Sequence, residues 1–312
     1  MNLITLRSLK SSQIESIIDT GIRIKENPRQ YETLLKDRYL YMLFEKTSTR
    51  TALSFGMGFN ELGGMYFFQK WRDSNFIVGE IRDEVRYIGR NADIILARLK
   101  ENRDIETMAE FSPIPVINGC CNRFHPTQAL ADCMTVKEIF GGYDITMVYV
   151  GIWNNVFNSL AASLPRLGGK LIGVCPIVNE ASISAREMSE TIGSPENLTI
   201  HTGSDATPEK LRQCIQEADI VYTDAWVDME FFNDPAFKEF GEERIKKMKP
   251  FSLTPQLLKG SPARVMHDMP IHDGYEIERT VAEANMETIL HQAENRRHAA
   301  KGIVTHLLSI EV

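Results

Sequence analysis

The first segment of the chain that could do chemistry consists of Ser48, Thr49, Arg50 and Thr51. It follows an apolar run at residues 39–43, which predicts a buried strand, and it precedes a stretch with a helical pattern. The N–H groups at the start of a helix attract an anion, hydroxyls add neutral donors, and a guanidinium matches phosphate oxygens. The alternative is an ordinary capped helix, since Ser and Thr are common N-cap residues. The residue types therefore indicate an anion site at a strand-to-helix turn.

Two later segments carry polar and basic groups, His125-Pro126-Thr127-Gln128 and Gln292-Ala293-Glu294-Asn295-Arg296. In this order, the three segments resemble the carbamoyl-phosphate-binding motifs of the aspartate/ornithine transcarbamylases. Shorter matches lie at residues 61–64, 97–98, 115–119, 129–132 and 224–226. Separated motifs in the right order are far more specific than any one of them. The chain is therefore identified as a member of this family, closer to the ornithine type.

The resemblance implies a site for carbamoyl phosphate and a role for each residue in it. The residues implied to bind carbamoyl phosphate are Ser48, Thr49, Arg50, Thr51, Arg98, His125, Gln128 and Arg296. Those implied to be catalytic are Arg50, Arg98, His125, Asp268 and Arg296. An amine attacks the carbamoyl carbon while charge builds on the carbamoyl oxygen and the leaving phosphate. Fixed donors aimed at these oxygens stabilise that state.

Each of these residues also has a structural interpretation. Arg50 and Arg98 could form surface ion pairs or be solvated, and His125 before a proline could belong to a turn. Arg296 has a basic neighbour in Arg297, so the pair could form a solvated face. One departure from the family is Ala52, where the first motif usually has a second arginine. The missing arginine puts in doubt the residues that position the phosphate ligands, and not the binding of carbamoyl phosphate itself.

The resemblance is looser where the acceptor amine is expected. The residues implied to bind the acceptor are Asn155, Asp224, Asp228, Met229 and Asp268. Ornithine enzymes have Ser, Gly and Cys where this chain has Asp228, Glu230 and Asp268. Carboxylates attract ammonium groups and repel carboxylate groups. The candidate acceptors are therefore ornithine, a related basic amino acid, a diamine or a guanidino compound. Asp228 and Glu230 could instead point to water on an exposed loop.

Aspartate is disfavoured as the acceptor. The aspartate enzymes have an arginine after their last His-Pro-Leu-Pro motif, and here Ile271 follows Pro270. Asp268 occupies about the position of the ornithine enzymes' cysteine, so it is a candidate to orient or accept the proton of the attacking amine. A third hypothesis, from another class, is a related protein that binds an anion without turnover. The complete set of groups expected around the carbamoyl oxygen argues against it.

Short apolar runs that alternate with helical patterns must position these residues. Strands are predicted at residues 39–44, 92–99, 115–118, 145–150, 170–175, 198–201, 219–223 and 263–267. The fold class is therefore α/β, with two doubly wound parallel-sheet domains joined by long helices. We expect a carbamoyl-phosphate-binding domain at 1–132, completed by a C-terminal helix at about 285–312, and an acceptor domain at 133–284.

Three local features are also predicted. A capping box starting at Ser12 begins the first helix, since Ser12 precedes Glu15 by three residues. A long helix at residues 130–140 ends at Gly141-Gly142. The final helical region, 283–308, is broken near Gly302. The resemblance implies that this last helix returns to the first domain and brings Arg296 to its site.

Bulk composition excludes several classes of protein. With 312 residues, 43% hydrophobic and 25% charged, the chain is typical of globular proteins. A net charge of −7 argues against nucleic acid as a partner, and we expect no membrane association, no signal peptide and a cytoplasmic location. Five cysteines without metal-ligand spacing favour free thiols, and we expect no metal and no cofactor. The resemblance implies a homotrimer or an assembly of trimers.

Overall fold

The computed structural model of the chain describes residues 1–179, 195–227 and 237–312. The chain divides into two compact units, which we describe separately. The first unit consists of Met1–Met134 and Glu294–Val312, and the second of Thr135–Ala293. The predicted α/β class with two parallel sheets is confirmed. What each unit binds stays a prediction at this stage.

Both units are built from parallel strands and helices. The strands are β1 Tyr39–Phe44, β2 Met65–Lys70, β3 Ile94–Arg98, β4 Val116–Cys120, β5 Thr146–Trp153, β6 Lys170–Val178, β7 Leu198–Thr202, β8 Ile220–Thr223 and β9 Arg264–His267. The helices are α1 Ser11–Glu26, α2 Thr49–Glu61, α3 Ile81–Ile88, α4 Asn102–Phe111, α5 Pro126–Phe140, α6 Asn155–Ala161, α7 Pro208–Gln216, α8 Lys238–Met248, α9 Arg279–Ala284 and α10 Met286–Leu307.

The sheet of the first unit has the order β2-β1-β3-β4, with all strands parallel. β3 and β4 are almost entirely buried, as expected for strands covered on both faces. β2 was not predicted from the sequence. It is an edge strand whose side chains are mostly exposed, so it lacks the burial pattern that identifies a strand in a sequence.

The sheet of the second unit has the order β7-β6-β5-β8-β9, again with parallel pairing. Its central strands are buried, and one contiguous apolar core contains side chains such as Val148, Val221, Trp226 and Val265. Ends of parallel strands lie at one edge of a sheet, where ligands bind in open α/β folds. β5, β8 and β9 therefore bring the residues that follow them to a common edge.

Two predicted helix features are wrong. α1 begins at Ser11 rather than behind a cap at Ser12, and the Gln13 side chain accepts a hydrogen bond from the Lys10 N–H at 2.9 Å. α10 is continuous through Gly302, because this glycine allows close packing and does not interrupt the helix. A Cβ at Gly302 would lie 2.1 Å from the carbonyl oxygen of Ile17. The glycine lets the backbones of α10 and α1 approach closely.

Among the described residues, every helix is either too short or too polar to cross a membrane.

Candidate functional site

The predicted phosphate-binding residues lie together at strand ends of the first unit. We call this group the anion site; it comprises Ser48, Thr49, Arg50, Thr51, Arg98, His125, Gln128 and Arg296. Ser48 and Arg50 follow β1, Arg98 ends β3, and Phe44 pairs with Arg98 across these neighbouring strands. The ends of β1 and β3 thus bring the first motif and Arg98 to one edge of the sheet.

Helix α2 presents its first turn at this edge. Ser48 is the N-cap, and its Oγ accepts a hydrogen bond from the Thr51 N–H at 3.2 Å. The same hydroxyl donates to Thr51 Oγ1 at 3.0 Å. Ser48 and Thr51 are buried, whereas Thr49 is exposed at the first helical position. Capping and anion binding were alternatives in the sequence. The cap is present, and a capped helix can still bind an anion through its other unpaired N–H groups.

Arg296 connects the three sequence motifs. Its Nη2 donates to Thr51 Oγ1 at 3.0 Å, across 245 residues of sequence, and its Nη1 donates to Gln128 Oε1. Gln128 Nε2 in turn donates to Asp132 Oδ1 at 2.8 Å. Arg296 is 6% exposed, so the alternative of a solvated face does not describe it. Arg297 is the neighbour that pairs at the surface, with Glu61 at 3.0 Å.

His125 is the buried centre of the anion site. Burial lowers its pKa well below the ordinary value of 6.5, and the nearby charges of Arg296, Arg98, Arg50 and Lys46 lower it further. The imidazole is therefore neutral at neutral pH, and it can hydrogen bond to a substrate oxygen without adding charge. Thr127 Oγ1 lies 3.3 Å from His125 Nδ1.

Lys46 was not among the residues predicted from the sequence. It lies two residues before the cap and acts on the same histidine as the three arginines. Its position inside the first motif, between Glu45 and Thr47, was the available signal. These cations make the anion site locally positive in a chain whose net charge is −7.

Arg98 presents an unsatisfied donor to this site. Its Nη1 donates to the Gly119 carbonyl at 3.4 Å, but its Nε is buried and has no hydrogen-bond partner among the described residues. A buried charged donor without a partner is costly, and a bound anion would satisfy it. The arrangement of Arg98 is thus better suited to a ligand than to the fold alone.

In the second unit, Asp224 follows β8 and Asp268 follows β9. We call these two residues the carboxyl pair. Thr223 pairs with His267 across the two strands, so the next residue of each strand lies at the same edge. Burial, and then Asp268, raise the pKa of Asp224 well above its usual range.

An asparagine completes this edge of the second unit. Asn154 Nδ2 donates to Asp224 Oδ2 at 2.6 Å, and Asn154 Oδ1 caps α6 by accepting from the N–H groups of Val156 and Phe157. The predicted residue was Asn155, which begins α6 and is only partly buried. N-cap preference could have identified Asn154 from the sequence, since Asn is a favoured cap. The predicted residues Asp228 and Met229 lie outside the described residues.

A buried histidine and glutamate support the segment that carries Asp268. The Met269 N–H donates to His267 Nδ1 at 2.8 Å, so the ring proton is on Nε2, which lies 3.1 Å from Glu276 Oε1. Burial alone would raise the pKa of Glu276, but hydrogen bonds from His267 and His272 lower it to about 2. Glu276 therefore stays ionised and holds both ends of the segment in place.

Within residues 1–179, 195–227 and 237–312, the structure has no group of three His, Cys, Asp or Glu side chains able to hold a metal ion.

These features define a class of protein before any comparison. One α/β unit gathers three arginines and a neutral, buried histidine at its sheet edge, and the other holds a carboxyl pair at its own sheet edge. The class they define is that of α/β proteins with polar sites at the carboxyl ends of their parallel strands, where the ligands of open α/β sheets bind.

Comparison with known proteins identifies the family. Residues 1–138 match the family model described as "Aspartate/ornithine carbamoyltransferase, carbamoyl-P binding domain", and residues 143–307 match its "Asp/Orn binding domain". The chain belongs to the aspartate/ornithine carbamoyltransferase family, as the sequence predicted. Its enzyme class, carbamoyltransferase, is confirmed with the family.

Relatives and solved structures match over almost the whole chain. The ornithine carbamoyltransferase of Methanopyrus kandleri is 34% identical, over 98% of this chain and 97% of its own length. That of Ignicoccus hospitalis is 34% identical over 98% of both. The structure of ornithine carbamoyltransferase from Pyrococcus furiosus has a TM-score of 0.87 at 30% identity, covering 100% of this chain and 98% of that one.

Proposed function

We propose that this protein transfers the carbamoyl group of carbamoyl phosphate to the side-chain amine of ornithine or a related basic amino acid and releases phosphate. The observation that carries the proposal is the anion site, where Arg296 bonds both Thr51 and Gln128 and where Arg50 and Arg98 act on neutral His125. The two family models support a division of labour. The first unit binds carbamoyl phosphate, and the second binds the acceptor.

Each residue of the anion site has a proposed role. The α2 N-terminus, with Ser48, Thr49 and Thr51, holds the phosphate together with Arg50 and Arg98. His125 hydrogen bonds to the carbamoyl oxygen, which gains charge in the transition state. One such donor is worth about 3–4 kcal/mol in comparable sites.

Two residues hold the rest of carbamoyl phosphate in place. The Gln128 side chain is held in place, since its NH2 donates to Asp132 and its oxygen accepts from Arg296. Held in this way, Gln128 orients the carbamoyl NH2. Arg296 then links the phosphate end to the carbamoyl end, since it bonds Thr51 as well as Gln128. Attack by an amine is thereby directed at one face of a fixed carbamoyl group.

Ornithine is the first acceptor to test, because the relatives named above are ornithine carbamoyltransferases. We assign acceptor binding to Asn155, Asp224, Asp228, Met229 and Asp268, and we add Asn154 because it bonds Asp224. The carboxyl pair favours a second candidate, an acceptor with more positive charge than ornithine, such as a diamine or a guanidino compound. Aspartate is disfavoured, because the pair would repel its carboxylates.

Phosphate release from carbamoyl phosphate tests the function directly. The panel of amines contains ornithine, lysine, acylated ornithines, aspartate, putrescine, agmatine and diaminopropionate. Highest kcat/KM with ornithine supports the first candidate, and a more cationic amine with poor ornithine turnover supports the second. Binding of carbamoyl phosphate without phosphate release from any of the panel would favour the hypothesis of a non-catalytic anion-binding protein.

We also propose that the protein is a homotrimer or an assembly of trimers. The support within the first unit is the edge strand β2 and its surroundings, where Met65 is 52%, Phe67 61% and Tyr87 70% exposed. An edge strand with exposed apolar side chains is a surface that a partner chain covers. A monomeric mass at micromolar concentration in light scattering would contradict the trimer. The cytoplasmic location remains a prediction from the sequence.

A further inference from the structure

Helix α2 meets helix α10 at two places within the first unit. Near the start of α2, Thr51 Oγ1 accepts a hydrogen bond from Arg296 Nη2 at 3.0 Å. At the end of α2, Glu61 forms ion pairs with Arg297 and Lys301. The first contact belongs to the anion site, and the second lies outside it. Both involve the same segment of α10, so the second contact can influence the first.

Glu61 is the last residue of α2 and holds two side chains of α10 at once. Its Oε1 lies 3.0 Å from Arg297 Nη1, and its Oε2 pairs with Lys301 Nζ. Residues four apart on a helix are neighbours on one face, so both cations approach the carboxylate from the same face of α10. The end of α2 is thus fixed to α10 by charge.

The Lys301 ammonium depends on Glu61 for its charge balance. The Lys301 side chain is 1% exposed, and Glu61 is the acid within ion-pair distance of it among the described residues. A buried ammonium without a partner is costly. If α2 and α10 separated at this point, the charge of Lys301 would be left unpaired, and this cost keeps the contact closed.

Between the two contacts, the backbones of α2 and α10 come close together. A Cβ at Gly58 would lie 3.1 Å from the Arg297 carbonyl oxygen and 3.5 Å from Cγ of Lys301. The missing side chain lets the helices approach closely at this point. Gly58 lies two helical turns after Thr51 and one turn before Glu61, so the three residues lie along one side of α2.

Gly58 therefore acts as a pivot between the two helices. At a rise of about 1.5 Å per residue, Glu61 lies about 4.5 Å beyond this pivot and Thr51 about 10.5 Å before it. A tilt of α2 that moves Glu61 by about 1 Å thus moves Thr51 by about 2 Å. Such a movement is enough to break the hydrogen bond from Arg296 to Thr51, because hydrogen bonds tolerate only a few tenths of an ångström.

A different face of α10 is held by α1. Lys25 Nζ donates to Asn295 Oδ1 at 2.8 Å, and a Cβ at Gly21 would lie 2.8 Å from the His298 carbonyl oxygen. α10 is therefore fixed within the first unit independently of α2. The angle of α2 relative to α10 then depends on the contacts that Gly58 and Glu61 make.

We propose that Glu61 is a positioning residue for carbamoyl transfer. Its ion pairs with Arg297 and Lys301 set the angle between α2 and α10 and thereby keep Arg296 on Thr51. The proposal rests on the proposed function, in which Arg296 and Thr51 hold carbamoyl phosphate. Glu61 lies outside the anion site and acts through Arg296.

The charge of Glu61 makes this role distinguishable from a simple electrostatic one. A carboxylate near an anion site repels the anion, so removal of the carboxylate should by charge alone strengthen anion binding. If Glu61 positions Arg296, the same removal should weaken anion binding. The two roles therefore predict effects of opposite sign.

Sulfate binding tests the positioning role without turnover. Calorimetry gives the dissociation constant of sulfate for the wild type, Glu61→Gln, Arg296→Gln and the double variant. We expect Glu61→Gln to weaken binding about threefold to tenfold, as for coupled residues of one network. In the Arg296→Gln background, the same change should alter the constant by less than about twofold, because the side chain that Glu61 positions is gone. Equal losses in both backgrounds, or tighter binding by Glu61→Gln, overturn the proposal.

The matched control is Glu26→Gln, at the exposed last residue of α1, which should bind sulfate like the wild type. Urea titration shows whether each variant is folded. If Glu61→Gln does not fold, Glu61→Gln/Lys301→Met removes the buried ammonium as well, a replacement that proteins commonly tolerate. This variant should fold and still bind sulfate more weakly than the wild type. Wild-type sulfate affinity in it overturns the proposal.

Phosphate release from carbamoyl phosphate gives a second measurement. In Glu61→Gln, kcat/KM for carbamoyl phosphate should fall by a similar factor with every active amine, because the change acts through Arg296. A loss confined to one amine overturns the assignment of Glu61 to the anion site. If the wild type releases phosphate with no amine of the panel, the proposed function fails, and the sulfate constants still decide separately whether Glu61 positions Arg296.

Discussion

The two candidate binding regions, one in each unit, are built from opposite charges and match the family to different degrees. The anion site gathers Arg50, Arg98 and Arg296 near a neutral His125, and its motifs match the family almost residue for residue. The carboxyl pair places Asp268 beside Asp224 at the ends of neighbouring strands, and by the sequence resemblance Asp268 occupies about the position of the ornithine enzymes' cysteine. By the resemblance, the region that we propose binds the phosphate keeps the family's motifs, while the region that we assign to the acceptor departs from them.

The physical reason for the difference lies in what each region has to recognise. Carbamoyl phosphate has one charge pattern, so the donors around it have little freedom to differ. Acceptor amines differ in charge and in length, and one carboxyl group in place of a thiol changes which of them is attracted. The comparison predicts that changes in the anion site reduce turnover with every amine. Changes at the carboxyl pair should instead alter the choice of amine.

The largest effect is expected for Arg98→Gln. Arg98 presents a buried Nε that has no hydrogen-bond partner among the described residues, so its loss removes a donor meant for the ligand. We expect kcat/KM for phosphate release to fall by about 10²–10³-fold with every active amine. Arg29→Gln, at an exposed arginine of the same unit, is the control and should leave kcat/KM unchanged. A loss confined to one amine would contradict the assignment of Arg98 to the phosphate side.

The next effect is on acid stability in the second unit and concerns Glu276. Its pKa is lowered from 4.5 to about 2, so its share of the free energy of unfolding is present above about 4.5 and is lost as pH falls towards 2. A shift of this size corresponds to about 3 kcal/mol at neutral pH. Glu276→Gln should be less stable by about this amount at neutral pH and should lose less stability on acidification.

Urea titrations at a series of pH values measure this effect, with the fluorescence of the buried Trp153 and Trp226 as the probe of the second unit. The matched control is Glu283→Gln, at an exposed glutamate of the same unit. Parallel stability curves for wild type and Glu276→Gln between pH 4.5 and 2 would show that Glu276 is not the group that titrates.

A smaller loss is expected for Gly302→Ala, which tests how α10 supports the anion site. The new Cβ would lie 2.1 Å from the Ile17 carbonyl oxygen, so α10 and α1 must separate. Overpacking of this kind costs about 1–3 kcal/mol. Because Arg296 lies on α10, sulfate should also bind more weakly.

Calorimetry measures both the unfolding and the sulfate affinity of Gly302→Ala. Gly142→Ala is the control, since a Cβ there meets nothing within 4 Å. Equal stability of the two variants would mean that the close approach of α10 and α1 does not contribute to the free energy of unfolding.

The fold could be predicted from the sequence wherever burial leaves a pattern. β1 has the predicted limits, Tyr39–Phe44, because its residues form a buried apolar run bounded by a polar turn. β2 could not be predicted, since an exposed aromatic edge strand has neither alternation nor an apolar core face. Gly302 was interpreted as a helix break because one sequence does not show which glycines meet a neighbouring backbone.

The candidate site shows the same limit. The residues of the anion site could be named because motif order identifies a family, but their bonds could not. That Arg296 reaches both Thr51 and Gln128 depends on a contact across 245 residues. At the sheet edge of the second unit, Asn154 bonds Asp224, because Asn154 occupies the N-cap position of α6 and its side chain turns towards β8. Local pattern cannot supply contacts that only the folded sheet edge creates.

The smallest expected effect concerns the anion site alone and tests whether His125 stays neutral. Burial and the surrounding cations keep the pKa of His125 well below 6.5, so the charge of the anion site should not change as pH falls from 8 to 5.5. Sulfate, which does not titrate in this range, should bind with an affinity constant to within about twofold. His125→Gln should leave that flat profile unchanged. Sulfate affinity that rises several-fold towards acid pH in the wild type, and not in His125→Gln, would show that His125 gains a proton, and the neutral imidazole assigned to the anion site would then be wrong.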